Sequence, residues 1–216
     1  MNRTDADILW DVARVLARDV AKVSLAAGRP APDLPPMLFF TDPDRTPRPW
    51  QTAARLPPGA GVVFRHFGRP DAAGTARRLR EVTAERGVLL LIGLDAALAE
   101  AVGADGVHLP ERSLDEAARL KAARPDWRVT GALHSHHRPT PPGLDALVVS
   151  PVFPAGGASA ARSALGVDAL SRWIRAAPLP VYALGGVDRD TAPGLIGSGA
   201  CGLAAVSAIQ AAFGPI

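Results

Sequence analysis

The sequence predicts an α/β protein, a (β/α)8 (TIM) barrel, on three observations. Eight short apolar runs recur along the 216 residues. Most are separated by segments of helical character, and the inner runs are almost continuously apolar, as strands buried on both faces of a parallel sheet must be. A doubly wound open sheet is the structural alternative, but that fold usually has fewer strands.

The elements follow in chain order. Residues 5–27 carry Ile8, Val12, Val15, Leu16 and Val23 at roughly helical spacing, and a proline-rich connector, Pro30–Pro36, comes next. Residues 1–36 are therefore expected to pack on the barrel as a helical extension, with 37–216 forming a single barrel domain. Strands are expected at 37–42 (MLFFTD), 61–67 (GVVFRHF), 88–93 (VLLLIG), 106–109 (GVHL), 128–134 (RVTGALH), 146–153 (ALVVSPVF), 180–186 (PVYALGG) and 201–209 (CGLAAVSAI). Helices are expected at 72–86, 96–102, 113–124, 167–177 and 189–198. In 113–124, Leu114, Ala117, Ala118 and Lys121 recur at i, i+3, i+4 spacing, and Ser113 with Glu116 has the form of a capping box. Residues 135–145 hold three prolines and a glycine, so the fifth helix should be missing or irregular. Gln210–Ile216 are too few for a full closing helix. Because the first and last strands of a closed barrel are neighbours, the leading helix is expected to cover that gap.

Composition narrows the class. Hydrophobic residues are 48% and charged residues 21%, the balance of a packed soluble chain. No apolar stretch approaches the ~20 residues needed to span a bilayer. The single cysteine, Cys201, excludes a disulfide framework and a cysteine-built zinc site. The opening MNRTDADILWDVARVL has acidic residues where a signal peptide would be apolar, which makes the cytoplasm the default. Net charge is +3, but Arg77, Arg78, Arg80, Arg119 and Arg124 are scattered among acids and alanines on expected helix faces. With aromatics at only 5%, this reads as a solvated surface and not as a nucleic-acid site.

Chemistry in such barrels sits at the C-terminal strand ends. Those positions hold Thr41, Asp42 and Asp44; Arg65 and His66; Gly93 and Leu94; His108 followed by Glu111; and His134 with His136 and His137 beyond it. The last three strands end in Ser150-Pro-Val-Phe-Pro, Gly185-Gly186 and Val206-Ser207. All five histidines fall at this one end. Gly185-Gly186 follows an apolar strand and precedes an expected helix near Asp188, so bare amides there can face an anion, with Ser207 ending the next strand. The plainer reading is a tight turn capped by Asp188. His66, His108 and His134 are candidates for general acid–base groups or metal ligands, or for fixed hydrogen bonds under loops. The two lysines, Lys22 and Lys121, lie on helices, which excludes Schiff-base chemistry in the mouth. Arg65 is the clearest inward cation, with Arg162 a second.

Ala104-Asp-Gly-Val-His-Leu109, Ser150-Pro-Val-Phe-Pro154, Ala183-Leu-Gly-Gly-Val187 and Ala205-Val-Ser-Ala-Ile209 occur in order. They resemble the motifs of strands 4, 6, 7 and 8 in the thiamine-phosphate synthase and thiazole tautomerase family. Leu38–Asp42 and Val63-Phe64-Arg65 resemble its first two strands. The resemblance covers about 37–209 and implies a barrel that binds thiazole phosphate. It implies phosphate contacts at Gly185, Gly186, Val206 and Ser207, and catalytic roles for Arg65, His108 and His134.

A synthase also holds magnesium with carboxylates while a pyrimidine diphosphate ionises. Here that half departs from the pattern. Val63 and Phe67 replace a glutamine and a lysine, Gly93 and Leu94 fall on an Asn-Asp pair, and Ser113 falls on an aspartate. Ala155, Gly156, Gly157 and Ala158 replace threonines and a lysine. Asp95 and Glu111 are weak substitutes as metal ligands. His134-Ser135 resembles the His-Ser pair of the tautomerase branch, with Ala132 where serine is usual. Three readings stay open. The first is a thiamine-biosynthesis enzyme, either a synthase with a degenerate half-site or a tautomerase using His134. The second is a non-catalytic thiazole-phosphate binder, and the third a phosphate-barrel epimerase with a metal on His66, His108 and Asp42. A homo-oligomer is compatible with each, and none calls for a nucleic acid or a membrane.

Overall fold

The computed structural model describes residues 3–134, 140–156 and 162–215. Eight parallel strands close into a barrel in sequence order: β1 (Met37–Phe40), β2 (Gly61–Phe64), β3 (Leu89–Gly93), β4 (Gly106–Leu109), β5 (Arg128–Leu133), β6 (Ala146–Val149), β7 (Val181–Leu184) and β8 (Gly202–Ala205). Closure is direct, with Met37 opposite Leu203 and Phe39 opposite Ala205. The period of two sorts the side chains. Leu38, Phe40, Val63, Leu91, Val148, Tyr182 and Ala204 fill the lumen, while Met37, Phe39, Val62, Leu90 and Leu203 face the helices. At the amino end the Tyr182 hydroxyl donates to the Pro35 carbonyl at 2.6 Å, so the proline-rich connector stoppers the cylinder from below.

The helices are α1 (Asp5–Ala26), α2 (Pro49–Ala53), α3 (Ala72–Arg86), α4 (Ala96–Val102), α5 (Ala117–Ala123), α6 (Val167–Ala176) and α7 (Ser207–Phe213). Thr4 and Asp7 form a capping box at the start of α1. This helix buries Leu9, Val12, Ala13 and Leu16 and packs on β1, β8 and α7. Val23, read as part of its apolar stripe, is 65% exposed. No helix is long and apolar enough to cross a membrane among the described residues.

The structure corrects several expectations. Residues 113–124 split into a 3₁₀ turn, Glu111–Glu116, and α5. The Ser113 capping box does not form, because Ser113 lies inside that turn with its N–H donated to Pro110 O at 2.9 Å. Residues 189–198 hold only a 3₁₀ turn at Ala192–Leu195. The Asp188 carboxylate there takes the amides of Asp190 and Thr191, and Pro193, Gly197 and Gly199 interrupt any continuation. Strands expected at 37–42, 146–153 and 201–209 stop at Phe40, Val149 and Ala205, and α7 begins two residues later than Ala205. The short α2, started by Pro49 at its first turn, was not anticipated. Between β5 and β6, residues 140–145 contain no helix.

Candidate functional site

Arg65 organises the carboxyl mouth. Its backbone N–H donates to Thr41 Oγ1 at 2.9 Å, and its Nε donates to Thr41 O at 2.8 Å. The guanidinium therefore lies across the top of the lumen, 5.3 Å from the Phe40 ring below and 5.4 Å from the Phe67 ring. Gly93 makes room for this pose, since a Cβ there would stand 3.2 Å from Arg65 Cγ. Burial lowers the Arg65 pKa to about 10, with Asp42 opposing the shift and Arg45 adding to it, so the group remains a cation at neutral pH. Its Nη2 is buried without a hydrogen-bond partner.

His108 and His134 differ in kind. His108 is buried, its Nδ1 2.9 Å from Thr130 Oγ1 and its ring edge-on to Phe40 at 5.0 Å. Burial, then the charges of Arg65 and His134, lower its pKa to about 3, so it is neutral. His134 is exposed at the end of β5. Its Nδ1 lies 2.9 Å from Ser150 O and 3.3 Å from Ser150 Oγ. A carbonyl can only accept, so Nδ1 carries a proton, and in the neutral ring the lone pair is on Nε2.

Gly185 and Gly186 are required where the loop after β6 crosses the end of β7. At φ +94° and +65°, they are packed so closely that a Cβ on Gly185 would stand 2.7 Å from Pro151 Cα, and one on Gly186 2.7 Å from Phe153 Cβ. No α-helix starts behind this turn, so the helix terminus expected near Asp188 is absent. The barrel register places the turn beside Val206 and Ser207. The cation of that corner is one the sequence reading missed. Arg45 Nη1 donates to Ser207 Oγ at 3.4 Å, and its Nη2 pairs with Asp42 at 3.1 Å. Burial raises the Asp42 pKa, but hydrogen bonds from the Arg45 side chain and backbone outweigh this and hold it below the usual range.

The carboxylate candidates are otherwise engaged. Asp95 Oδ1 caps α4 by accepting Leu98 N–H at 2.8 Å, and its Oδ2 lies 3.5 Å from His66 Nε2. His66 Nδ1 accepts Gly68 N–H at 3.1 Å. Glu111 begins the turn after β4. Among the described residues no three His, Cys, Asp or Glu side chains converge to hold an ion, and the set His66, His108 and Asp42 does not come together. Leu94 stands at the rim, at the position where the family resemblance expects a carboxylate. Arg162 is exposed. Ser135, His136, His137, Gly157 and Ala158 lie outside the described residues.

The family model of thiamine monophosphate synthase matches residues 54–209. A thiamine-phosphate synthase of Chlorobium luteolum is 30% identical over 193 residues, 86% of this chain and 90% of that one. The thiamine biosynthesis bifunctional protein ThiM/ThiE of Symbiobacterium thermophilum is 32% identical over 215 residues, 94% of this chain. The chain spans only 44% of that bifunctional relative. Among solved structures, thiamine phosphate pyrophosphorylase from Pyrococcus furiosus superposes with a TM-score of 0.69 at 23% identity, covering 84% of this chain and 93% of that one. At that identity the likeness bears on the fold alone.

Proposed function

The chain belongs to the thiamine monophosphate synthase family, and on that premise we propose that it acts in thiamine biosynthesis as an acid–base enzyme on a thiazole phosphate. The phosphate would lie against Arg45, Ser207 and the Gly185-Gly186 turn, where a guanidinium and close-packed backbone meet. His134 carries the reading. With Nδ1 committed to Ser150 O, Nε2 is the nitrogen that can take a proton from an sp3 ring carbon of a non-aromatic thiazole tautomer and return one to the exocyclic carbon, which makes the ring aromatic and leaves the composition unchanged. His108 is neutral and buried in the floor, so its proposed role is to support Phe40 and the barrel end, not to move protons. Arg65 supplies fixed positive charge beside the ring.

The test follows a carboxylated thiazole phosphate in D2O by NMR. We expect deuterium to enter the exocyclic carbon of the aromatic product with the wild-type protein and not with His134→Asn, while affinity for the phosphate changes little. Equal exchange by the variant would remove His134 from this role. A second reading, coupling of a pyrimidine diphosphate with thiazole phosphate, is favoured by the names of the relatives. Phe67, Gly93 and Leu94 oppose it, because they stand where the family resemblance expects a lysine, an asparagine and an aspartate on the diphosphate side. Coupling with added magnesium at the rate of an ordinary synthase would decide for the second reading, and tight thiazole-phosphate binding with neither reaction would indicate a binding protein.

A further inference from the structure

The peptide that follows β6 is clamped from two sides. Pro151, Val152 and Phe153 lie across the end of β7, where Val152 N–H donates to Leu184 O at 2.9 Å and Phe153 N–H to Gly185 O at 3.0 Å. From the far end of the same loop, Leu165 N–H donates to Pro151 O and Gly166 N–H to Val152 O, both at 2.9 Å. Gly185 closes on Pro151 with no room for a Cβ between them. These contacts fix where Ser150, the residue before the strip, can point. Ala146 and Val148 of β6 face the lumen, and the period of two puts Ser150 on the same side. The register that sets Ala132 beside Val148 and Leu133 beside Val149 brings His134 beside it.

Ser150 is buried, and two of its oxygens face one nitrogen. His134 Nδ1 lies 2.9 Å from the Ser150 carbonyl and 3.3 Å from its hydroxyl. Because the carbonyl requires a proton on Nδ1, the hydroxyl oxygen also accepts from that N–H. When Nε2 takes a proton the ring becomes a cation, and both contacts become charge-assisted and stronger. Contacts that strengthen as charge develops favour the transition state over the bound substrate.

We propose that Ser150 is the positioning residue of His134: its hydroxyl, aimed by the strip clamped on β7, shares Nδ1–H with its own carbonyl and so keeps the lone pair on Nε2. The consequence for turnover rests on the acid–base reading above; the tautomer does not. The test reads the His134 tautomer by 15N NMR at about pH 8.5, where imidazoles are neutral, with the His134 signals assigned by their loss in His134→Asn. The proteins are the wild type, Ser150→Ala, Ser150→Thr and Ser150→Val, the last two alike in shape and different in the hydroxyl. We expect the ratio of Nδ1–H to Nε2–H rings to fall about threefold to tenfold in the Ala and Val variants, the loss of one hydrogen bond, and to hold in the Thr variant. Deuterium entry at the exocyclic carbon should follow, with kcat down by a similar factor, KM unchanged, and recovery in Ser150→Thr. An unchanged ratio in Ser150→Ala and Ser150→Val, or an equal fall in Ser150→Thr, overturns the role of the hydroxyl whatever the activity. A ratio that tracks the hydroxyl while none of the four proteins exchanges deuterium leaves Ser150 as the positioning residue and refutes the acid–base reading. A wild-type ring with its proton on Nε2 overturns both.

Discussion

Lowering the pH from 7 to 5 should remove about 2 kcal/mol of folding free energy through His108 alone. The fold holds this imidazole near pKa 3 against an ordinary 6.5, chiefly by burial and then by the charges of Arg65 and His134. The unfolded chain therefore binds a proton that the folded chain refuses. The contribution is fully present above the ordinary value and drains away as pH falls toward the folded one. At pH 5 the unfolded ring is almost wholly protonated and the folded ring almost wholly neutral, and integrating that difference from pH 7 gives the ~2 kcal/mol.

The assay is urea unfolding at both pH values for the wild type and for His108→Gln, which is uncharged throughout and keeps an amide for Thr130. The wild type should lose about 2 kcal/mol more than the variant between the two conditions. The carboxyls of Asp42 and Asp188, whose pKa values lie below 3.8, titrate at lower pH and are common to both proteins. Equal losses would show that His108 is hydrated or already charged at neutrality, and the account of the barrel floor would be wrong.

Three further outcomes are expected. Gly186→Ala places a Cβ against Pro154 O and Phe153 at φ +65°, and should cost about 2–4 kcal/mol in urea unfolding while weakening phosphate binding. Arg45→Met removes the cation beside Ser207; calorimetry should show phosphomonoester affinity down by roughly 10–100-fold, with an almost unchanged unfolding midpoint. Gly93→Ala puts a methyl 3.2 Å from both Arg65 Cγ and Phe64 O. It should cost about 1–2 kcal/mol, and by displacing Arg65 it should raise the His108 pKa, which NMR titration would register.

What the sequence revealed follows from how local each signal is. Strands buried on both faces leave continuous apolar runs, so all eight were legible, and helices 72–86 and 96–102 match to the residue because Gly87 and Gly103 end them in left-handed caps. Residues 189–198 were misread because apolar spacing there competes with an Asp188–Thr191 side-chain turn and with Pro193. Ser113 had the right partner in Glu116, but Pro110 had already begun a tighter turn. At the site, Gly185, Gly186, Arg65 and His134 were visible as residue types at strand ends. Arg45 was not, because its partner Ser207 lies 162 positions away and only barrel closure brings them together. Nor does any pattern of hydrophobicity announce that Phe67 and Leu94 take left-handed backbone.

Thr41 binds Arg65 through the backbone and through Nε, and the second of these bonds holds the guanidinium across the opening. A positive charge thus stands at the opening before any ligand arrives, with little side-chain freedom left to surrender on capture. An anion would be drawn in by a standing field, and its arrival rate, more than its departure rate, should slacken as the ionic strength rises.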